Sequence, residues 1–277
     1  MLVSIVIPAR NEEACLGACL ESLSAQQGVE REIIVVDDGS TDRTGAIAAS
    51  FAGVRVVVAA EPEAGASGKC NAVWTGAQQA RGEWLLFTDA DTVHKPGSLA
   101  RCLNEAQEHG AALLSLSPEQ EVRGFWEKAV MPLVFAELAC TYRPAEVCDP
   151  NSPSAAANGQ YLLVRRDAYF AVGGHRAVAH TLLEDVALAQ AFKRAGYPLR
   201  FRFGGDAVRT RMYRSWREMR DGWTKNLALL FPATGALAGK RAVEFLLAAG
   251  GIGSFLGGWL AHDTLPMIAG LAVAVPT

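Results

Sequence analysis

The stretch "GEWLLFTDADTV", residues 82–93, decides how the rest of the chain is interpreted. Residues 84–88 form a short apolar run of the kind that becomes a buried strand. Two carboxylates, Asp89 and Asp91, follow at once with a single alanine between them. Like charges this close repel each other, and removal from water increases the cost. The pair therefore predicts a bound cation at the end of this strand.

Composition narrows the class of protein. The chain has 277 residues, half of them hydrophobic and 20% charged, with a formal net charge of -3. This balance, without basic runs interleaved with aromatics, argues against a nucleic-acid partner. The six cysteines form no CxxC pair, so neither a disulfide framework nor a zinc site is indicated. The N-terminus enters an apolar strand directly and lacks a basic lead, so we expect a cytoplasmic catalytic part.

Short apolar runs alternate with helical segments over the first 117 residues. The predicted strands are Val3–Ile7, Glu32–Val36, Val54–Ala59, Trp84–Thr88 and Ala111–Leu116. Asn11 is a plausible N-cap for the first helix. Alternation of this kind predicts an α/β fold with a mostly parallel sheet flanked by helices.

Acidic segments follow three of these strands. They are "PARNEE" (8–13), "DDGSTD" (37–42) and "DAD" (89–91), and Lys69 closes the segment after another strand. Parallel strands bring such segments to one edge of the sheet, where ligands bind. Carboxylates that invite a cation suit Mg²⁺ or Mn²⁺ and a diphosphate. Neither a GxGxxG nor a GxxxxGK[ST] motif is present, which argues against the two common nucleotide-binding loops.

At this point four motifs carry a specific resemblance. "VSIVIPARNEE", "IIVVDDGSTDRT", "ARGEWLLFTDADT" and "LLEDVALAQAFKRAGY" occur in the order found in family 2 glycosyltransferases of the GT-A fold. The likeness extends over residues 2–230. A single DxD pair is weak evidence, whereas four motifs in the same order are specific.

The resemblance implies a role for each matching residue. The residues that fall where the family holds the nucleoside are Pro8, Ala9, Arg10 and Glu12, and those that match the acidic pair facing base and ribose are Asp37 and Asp38. Lys69 matches a basic residue near the ribose and diphosphate, and Asp89 and Asp91 match the pair that binds the divalent metal. Asp185, with Glu184 beside it, matches the general base. The implied reaction is an inverting transfer from a nucleotide sugar, with a UDP-sugar expected as donor. The base accepts the proton of the attacking hydroxyl.

Other residues are less decisive. The QxxRW sequence of processive synthases is absent, and its nearest match has only Arg214 and Trp216. A single transfer is therefore expected rather than polymerisation. Arg211 and Arg214 could still bind the diphosphate, and Trp216 is a further candidate substrate-binding residue. Asp42 is interpreted as a helix cap and His94 as a loop residue, not a metal ligand.

Four segments concern the acceptor. Residues 124–142 form either a core helix or an interfacial helix that dips into lipid. Residues 209–225 are basic and contain Trp216 and Trp223, as expected beside an anionic membrane surface. The uncharged run 245–261 approaches the length of one bilayer crossing, and a second apolar segment covers 265–277. The alternative for the C-terminal run is a soluble helical hairpin.

The expected organisation is a GT-A domain over 1–230, with a nucleotide half (1–117) and an acceptor half (118–230), and a hydrophobic membrane-associated segment over 231–277. The "SAAANG" loop (154–159) and the basic segment resemble family members that act on isoprenoid lipids of hopanoid or carotenoid type. We therefore expect a lipid or isoprenoid acceptor at the cytoplasmic face of the cell membrane. A polyprenyl-phosphate glycosyltransferase and a catalytically silent membrane scaffold are the alternatives.

Overall fold

A computed structural model of the chain describes residues 1–213, 215–230 and 234–262. Within them the strands are β1 (Leu2–Ala9), β2 (Glu30–Asp37), β3 (Val54–Val58), β4 (Trp84–Phe87), β5 (Thr92–His94), β6 (Leu113–Ser117), β7 (Glu119–Gln120), β8 (Leu162–Arg165), β9 (Leu199–Phe203) and β10 (Val208–Thr210). The helices are α1 (Leu16–Ser24), α2 (Thr44–Ser50), α3 (Gly68–Gln79), α4 (Ser98–Glu108), α5 (Phe125–Thr141), α6 (Pro144–Cys148), α7 (Arg166–Ala171), α8 (Gly174–Ala177), α9 (Glu184–Arg194), α10 (Trp216–Leu230) and α11 (Thr234–Ala261).

The main sheet has seven strands in the order β3-β2-β1-β4-β8-β6-β9. β1 pairs in parallel with β2 and β4, and β2 pairs in parallel with β3. The carboxyl ends of these four strands therefore lie at one edge. β8 runs antiparallel between β4 and β6, and β9 returns parallel to β6. The prediction of an α/β fold with a mostly parallel sheet is confirmed.

Both faces of this sheet are covered. Successive side chains of β1 point to opposite faces, so Ile5 joins one buried cluster with Leu16 and Leu20 of α1. Val6 joins the other cluster, which includes Val73 of α3. Burial on both faces explains why these strands are continuously apolar rather than alternating.

A second, three-stranded sheet lies after the aspartate pair. Its order is β5-β10-β7, with β10 antiparallel to β5 and parallel to β7. The contact between β5 and β10 brings residues 208–210 alongside residues 92–94, far away in sequence. This small sheet supports the loop that carries Asp89 and Asp91.

The five predicted strands are all present, with ends shifted by one or two residues. The predicted cap at Asn11 is wrong, because α1 begins only at Leu16. Asn11 instead adopts a left-handed conformation (φ 57°) and accepts the Thr41 amide hydrogen with its side-chain oxygen at 2.9 Å. It joins the loop after β1 to the loop after β2.

The C-terminal residues form a separate compact unit. The chain divides into 1–220 and 221–277. α11 exposes several large apolar side chains, namely Phe245, Leu246, Leu247, Ile252, Leu256, Trp259 and Leu260. None of the helices in the described residues combines the length and the hydropathy that a membrane crossing requires. The predicted membrane helix over 245–261 is therefore not supported, and the predicted segment 265–277 lies outside the described residues.

Candidate active site

A cleft of about 360 Å³ opens at the carboxyl ends of β1, β2 and β4. Its walls include Pro8, Ala9, Arg10, Glu12, Asp38, Gly68, Lys69, Ala72, Asp89, Ala90 and Asp91. Eight of these residues are ones that the sequence assigns to the nucleoside, the diphosphate or the metal. The parallel strands bring them together because each motif directly follows a strand.

Lys69 is the cation at the centre of the cleft. It begins the first turn of α3, and its Nζ lies 2.8 Å from Asp89 Oδ1 and 3.7 Å from Glu184 Oε1. Burial alone would lower the pKa of Lys69, but the charges of Asp89, Glu184 and Asp185 outweigh it and raise that pKa. Lys69 therefore stays charged and links the end of β4 to the start of α9.

Asp91 has a different environment from Asp89. Its Oδ1 is buried and has no hydrogen-bond partner among the described residues. Burial, followed by the charges of Asp89 and Glu12, raises the pKa of Asp91 to about 7. A carboxylate with such a pKa is poorly compensated by its surroundings. It requires either a proton or a cation.

The carboxylates near Asp91 are candidate ligands for a divalent metal. Within the described residues, no group of three or more His, Cys, Asp or Glu side chains is arranged to hold an ion without other ligands. Mg²⁺ and Mn²⁺ are commonly held by one or two carboxylates together with waters and substrate phosphates. The buried oxygen of Asp91, which has no partner within the described residues, fits such a site, whereas both oxygens of Asp89 also contact Lys69.

Asp185 stands in the first turn of α9, on the other side of Lys69. Its Oδ2 accepts the Gly159 amide hydrogen at 3.1 Å, and its Oδ1 accepts that of Val186 at 2.8 Å. Burial and then the charge of Glu184 raise the pKa of Asp185 to about 6, against the opposing effects of Lys69 and the two amides. The charge of Asp185 also adds to burial in raising the pKa of Tyr142. The carboxylate is held in place, and its pKa is close to the value that a general base needs near neutral pH.

Another part of the cleft wall is formed by Asp38, which lies close to Gly68. A Cβ at Gly68 would lie 2.7 Å from Asp38 Oδ2, so a side chain at Gly68 would displace that carboxylate. Arg10 Nη1 lies 3.8 Å from the same oxygen. Asp37 instead accepts the Ser40 amide hydrogen at 2.9 Å within the turn. The two adjacent aspartates thus have different partners, which the sequence does not distinguish.

Sequence reasoning missed a buried polar network behind the aspartate pair. Thr88 Oγ1 lies 2.8 Å from Thr92 Oγ1 and 3.1 Å from His94 Nε2, and Thr92 donates to the Asp89 carbonyl oxygen at 2.7 Å. His94 is therefore not a loop residue but the buried end of β5, and burial lowers its pKa to about 3. The neutral network fixes the backbone of the Asp89–Asp91 turn. The signal available in the sequence was the presence of two threonines, Thr88 and Thr92, on either side of the aspartate pair.

A second cleft of about 430 Å³ shares Asp91 with the first. Three arginines, Arg123, Arg209 and Arg211, line it together with Thr210 and the start of α1. Arg211 donates to Glu127 Oε1 at 2.9 Å, while its Nε is buried without a partner in the described part of the chain. Arg211 therefore lies beside the second cleft rather than the first.

The remaining predicted residues lie elsewhere. Trp216 begins α10, and its ring centroid lies 4.7 Å from that of Trp126. Arg214 lies outside the described residues. Asp42 accepts hydrogen bonds from the Thr44 amide at 2.9 Å and the Glu13 amide at 3.1 Å. Asp42 thus binds the amide of the first residue of α2, but the N-cap position itself is Arg43, so the prediction of Asp42 as the cap is wrong.

The sequence is similar to those of known proteins. The family described as "Glycosyl transferase family 2" matches residues 4–170. A 4,4'-diaponeurosporenoate glycosyltransferase of Staphylococcus aureus (strain MRSA252) is 31% identical over 263 residues, which cover 92% of this chain and 68% of that protein. The enzyme of the same name from strain USA300 is also 31% identical, and the chain spans 60% of its length.

Solved structures show the same fold. The mannosyltransferase PcManGT from Pyrobaculum calidifontis, solved with GDP-Man and Mn²⁺, has a TM-score of 0.57 and 17% identity, covering 98% of this chain and 86% of that one. The glucosyl-3-phosphoglycerate synthase from Mycobacterium tuberculosis, solved with Mn²⁺ and UDP-glucose, has a TM-score of 0.53 and 24% identity, covering 84% and 79%. The matched residues 4–170 include the cleft and the aspartate pair. The chain belongs to glycosyl transferase family 2.

Proposed function

We propose that the protein transfers one sugar, with inversion, from a nucleotide sugar to an isoprenoid-type lipid at the cytoplasmic face of the membrane. One observation carries this proposal: Lys69 contacts both Asp89 in the first cleft and Glu184 at the start of α9. The contact joins a nucleotide-type cleft and a candidate base in a single site. A transferase needs this proximity because donor and acceptor must react within one site.

The first cleft is the proposed donor site. Pro8 and Ala9 offer a short apolar wall, and Asp38 offers an acceptor for ribose hydroxyls. The solved neighbours that hold UDP-glucose or GDP-mannose share the fold. We favour a UDP-sugar.

Asp91, with Asp89, would hold a divalent cation beside the donor diphosphate. When bound, such a cation neutralises the negative charge that develops on the leaving group. Lys69 supplies a fixed positive charge on the other side of Asp89, 2.8 Å from its Oδ1. The same lysine offsets the negative charges of Asp89 and Glu184, which would otherwise repel an incoming diphosphate.

Asp185 is the proposed general base. It accepts the proton of the acceptor hydroxyl as that oxygen attacks the anomeric carbon opposite the leaving diphosphate. Gly159 and Val186 donate their amide hydrogens to its two oxygens and fix its direction. Because a single displacement of this kind reverses the configuration of the anomeric carbon, we expect inversion.

The acceptor is proposed on two grounds. The curated relatives are named as acting on 4,4'-diaponeurosporenoate, and the chain is 31% identical to them. In addition, α11 exposes large apolar side chains to an extent typical of surfaces that meet a lipid or a protein. An apolar acceptor held in a membrane fits both observations.

A second candidate acceptor is a polyprenyl phosphate. The second cleft favours it, because three arginines, Arg123, Arg209 and Arg211, line it against two acidic residues, Asp91 and Glu121. Guanidinium groups bind phosphate oxygens in a bidentate manner. The Nε of Arg211, which has no partner among the residues that the structure describes, supplies a donor for such a group.

A donor and acceptor panel tests the proposal. Membranes containing the protein would be supplied with labelled UDP-, GDP- and TDP-sugars and with three acceptors: an isoprenoid alcohol, an isoprenoid carboxylate and a polyprenyl phosphate. Mass spectrometry of the lipid fraction identifies the product, and NMR gives its anomeric configuration. We expect one hexose on an isoprenoid, with inversion. Donor turnover without any lipid product would contradict the acceptor assignment, and retention would contradict the role of Asp185.

A further inference from the structure

Three aromatic side chains contact one another on the outside of the GT-A unit. The ring centroid of Trp126 lies 5.2 Å from that of Phe125 and 4.7 Å from that of Trp216. Phe125 is 75% exposed, and both tryptophans are about half exposed. Leu133 is exposed too, and it follows Trp126 by seven residues, so both point in nearly the same direction from α5. We call Phe125, Trp126, Leu133 and Trp216 the aromatic surface.

The aromatic surface belongs to a helix that is fixed on its other side. Glu127, Met131 and Val134 of α5 are buried, and Glu127 accepts a hydrogen bond from Arg211 at 2.9 Å. Apolar side chains on the opposite side are therefore held outward by packing. Exposed apolar patches of this kind mark surfaces that bind a partner or a membrane.

The charges around the aromatic surface are opposite in sign to those of the whole chain. Segments 121–128, 209–211 and 216–220 contain six basic residues and three acidic ones, a net charge of +3, whereas the chain carries -3. The three segments adjoin one another, because Arg209 pairs with Glu121 at 3.2 Å and Trp126 contacts Trp216. Positive charge is thus concentrated where aromatic rings are exposed.

We propose that the aromatic surface docks on an anionic lipid bilayer, an inference that rests on the proposed membrane-face function and gives it a location. Tryptophan favours the membrane–water interface, and basic side chains are attracted to an anionic leaflet. A second copy of this chain is a poorer occupant. A symmetric dimer through this surface would bring two patches of net charge +3 together.

The location also suits the chemistry. Arg211, which holds Glu127 at the buried side of α5, lines the cleft that contains Asp91. Tyr142, directly after α5, lies near enough to Asp185 for the charge of Asp185 to raise the pKa of Tyr142. A lipid held at α5 would therefore lie beside a helix that contacts a residue of the second cleft through Glu127 and is followed by Tyr142, near Asp185.

Site-specific photo-crosslinking tests the docking surface in the full chain. A benzophenone amino acid replaces Phe125, and a matched chain carries it at Phe203, an aromatic that is 55% exposed on β9. A third chain carries it at Leu246 of α11 to report on lipid contact of the C-terminal unit. Each is irradiated with vesicles of phosphatidylcholine alone or with added phosphatidylglycerol, and lipid adducts are counted by mass spectrometry.

We expect adducts at position 125 to exceed those at position 203 about tenfold with anionic vesicles. They should fall when about 1 M salt shortens the Debye length to about 3 Å. Replacing Arg217 and Arg220 with Gln should lower the adducts at 125 without lowering those at 246. Equal adducts at 125 and 203, or adducts between two chains at 125, would overturn the inference. Lipid adducts at 125 without any glycosylated lipid would leave the surface standing and refute the acceptor assignment instead.

Discussion

Lys69 Nζ lies 2.8 Å from one carboxylate oxygen of Asp89 and 3.1 Å from the other. This pairing separates two aspartates that look equivalent in sequence. Asp89 has its charge compensated by the protein, while Asp91 keeps a buried oxygen without a partner in the described residues. Lys69 thus supplies one positive charge to the aspartate pair, and the oxygen of Asp91 is a candidate ligand for a second cation.

Replacing Lys69 with Met should weaken binding of a nucleoside diphosphate and destabilise the fold. Its Nζ is the cation nearest to Asp89 and Glu184, so these carboxylates would repel each other and the ligand. Because the side chain is 40% exposed, the expected loss is about 1–2 kcal/mol rather than that of a fully buried pair. Calorimetry and denaturant unfolding measure both effects.

The double variant Lys69→Met, Asp89→Asn is the control for that prediction. Removing the partner charge should restore part of the unfolding free energy, since the lone carboxylate causes the penalty. It should not restore ligand binding. If the single and double variants unfold identically, the 2.8 Å contact contributes nothing to stability.

The role of Asp185 predicts a specific pH dependence. Its pKa is raised to about 6, first by burial and then by Glu184. A base must be unprotonated, so kcat/KM should fall about tenfold per pH unit below 6 and level off above it. Asp185→Asn should abolish this acid limb and reduce turnover by about 10²- to 10⁴-fold.

Glu184→Gln is the matched variant. Removal of the neighbouring charge should lower the pKa of Asp185, so the acid limb should shift to lower pH while turnover persists. Stopped assays across pH 4.5–8.5 would show this. An unchanged limb in Asp185→Asn would assign the titration to another group.

A buried histidine away from the clefts predicts how stability depends on pH. Burial, with a smaller effect from the charge of Lys69, lowers the pKa of His175 to about 3. The unfolded chain binds a proton here below about pH 6.5, whereas the folded chain does not. Stability contributed by neutral His175 is therefore complete above that pH and decreases by about 1.4 kcal/mol per unit as pH falls toward 3.

His175→Gln isolates this effect from the carboxylates, whose raised pKa values act in the opposite direction. The difference in unfolding free energy between wild type and variant should shrink by about 2 kcal/mol from pH 7.5 to 5.0. Tyr169→Phe removes the hydroxyl 2.9 Å from His175 Nδ1 but keeps the imidazole, so its slope should match wild type. A pH-independent difference for His175→Gln would show that the histidine has the same pKa in the folded and unfolded states, which contradicts its lowered pKa.

Much of the donor cleft can be predicted because its residues directly follow strands. Each strand is indicated by a local apolar run. Once the strands are parallel neighbours, their carboxyl ends lie at the same edge of the sheet. The sequence alone therefore assigns Arg10, Asp38, Lys69 and Asp91 to one site, and these four residues do line one cleft.

The remaining features depend on contacts between distant segments. β8 follows a Pro- and Ser-rich loop and inserts antiparallel between β4 and β6, which no local pattern specifies. His94 is buried only because β10 pairs with β5, more than 100 residues apart. The second cleft likewise combines residues 14–18, 121–123 and 209–211. Apolar length alone led to the membrane helix that the described residues do not support.

The measurement that tests the central claim most directly is sugar transfer by Asp91→Asn. Asparagine keeps the size of the side chain and removes the charge that a divalent cation needs. With the donor and lipid acceptor found in the panel, labelled lipid should form with wild type plus Mn²⁺ and disappear in excess chelator. It should be absent at any Mn²⁺ concentration with Asp91→Asn. Because the buried, uncompensated carboxylate is costly, this variant should unfold no more readily than metal-free wild type. Undiminished lipid product from Asp91→Asn, or from wild type in excess chelator, would contradict the account.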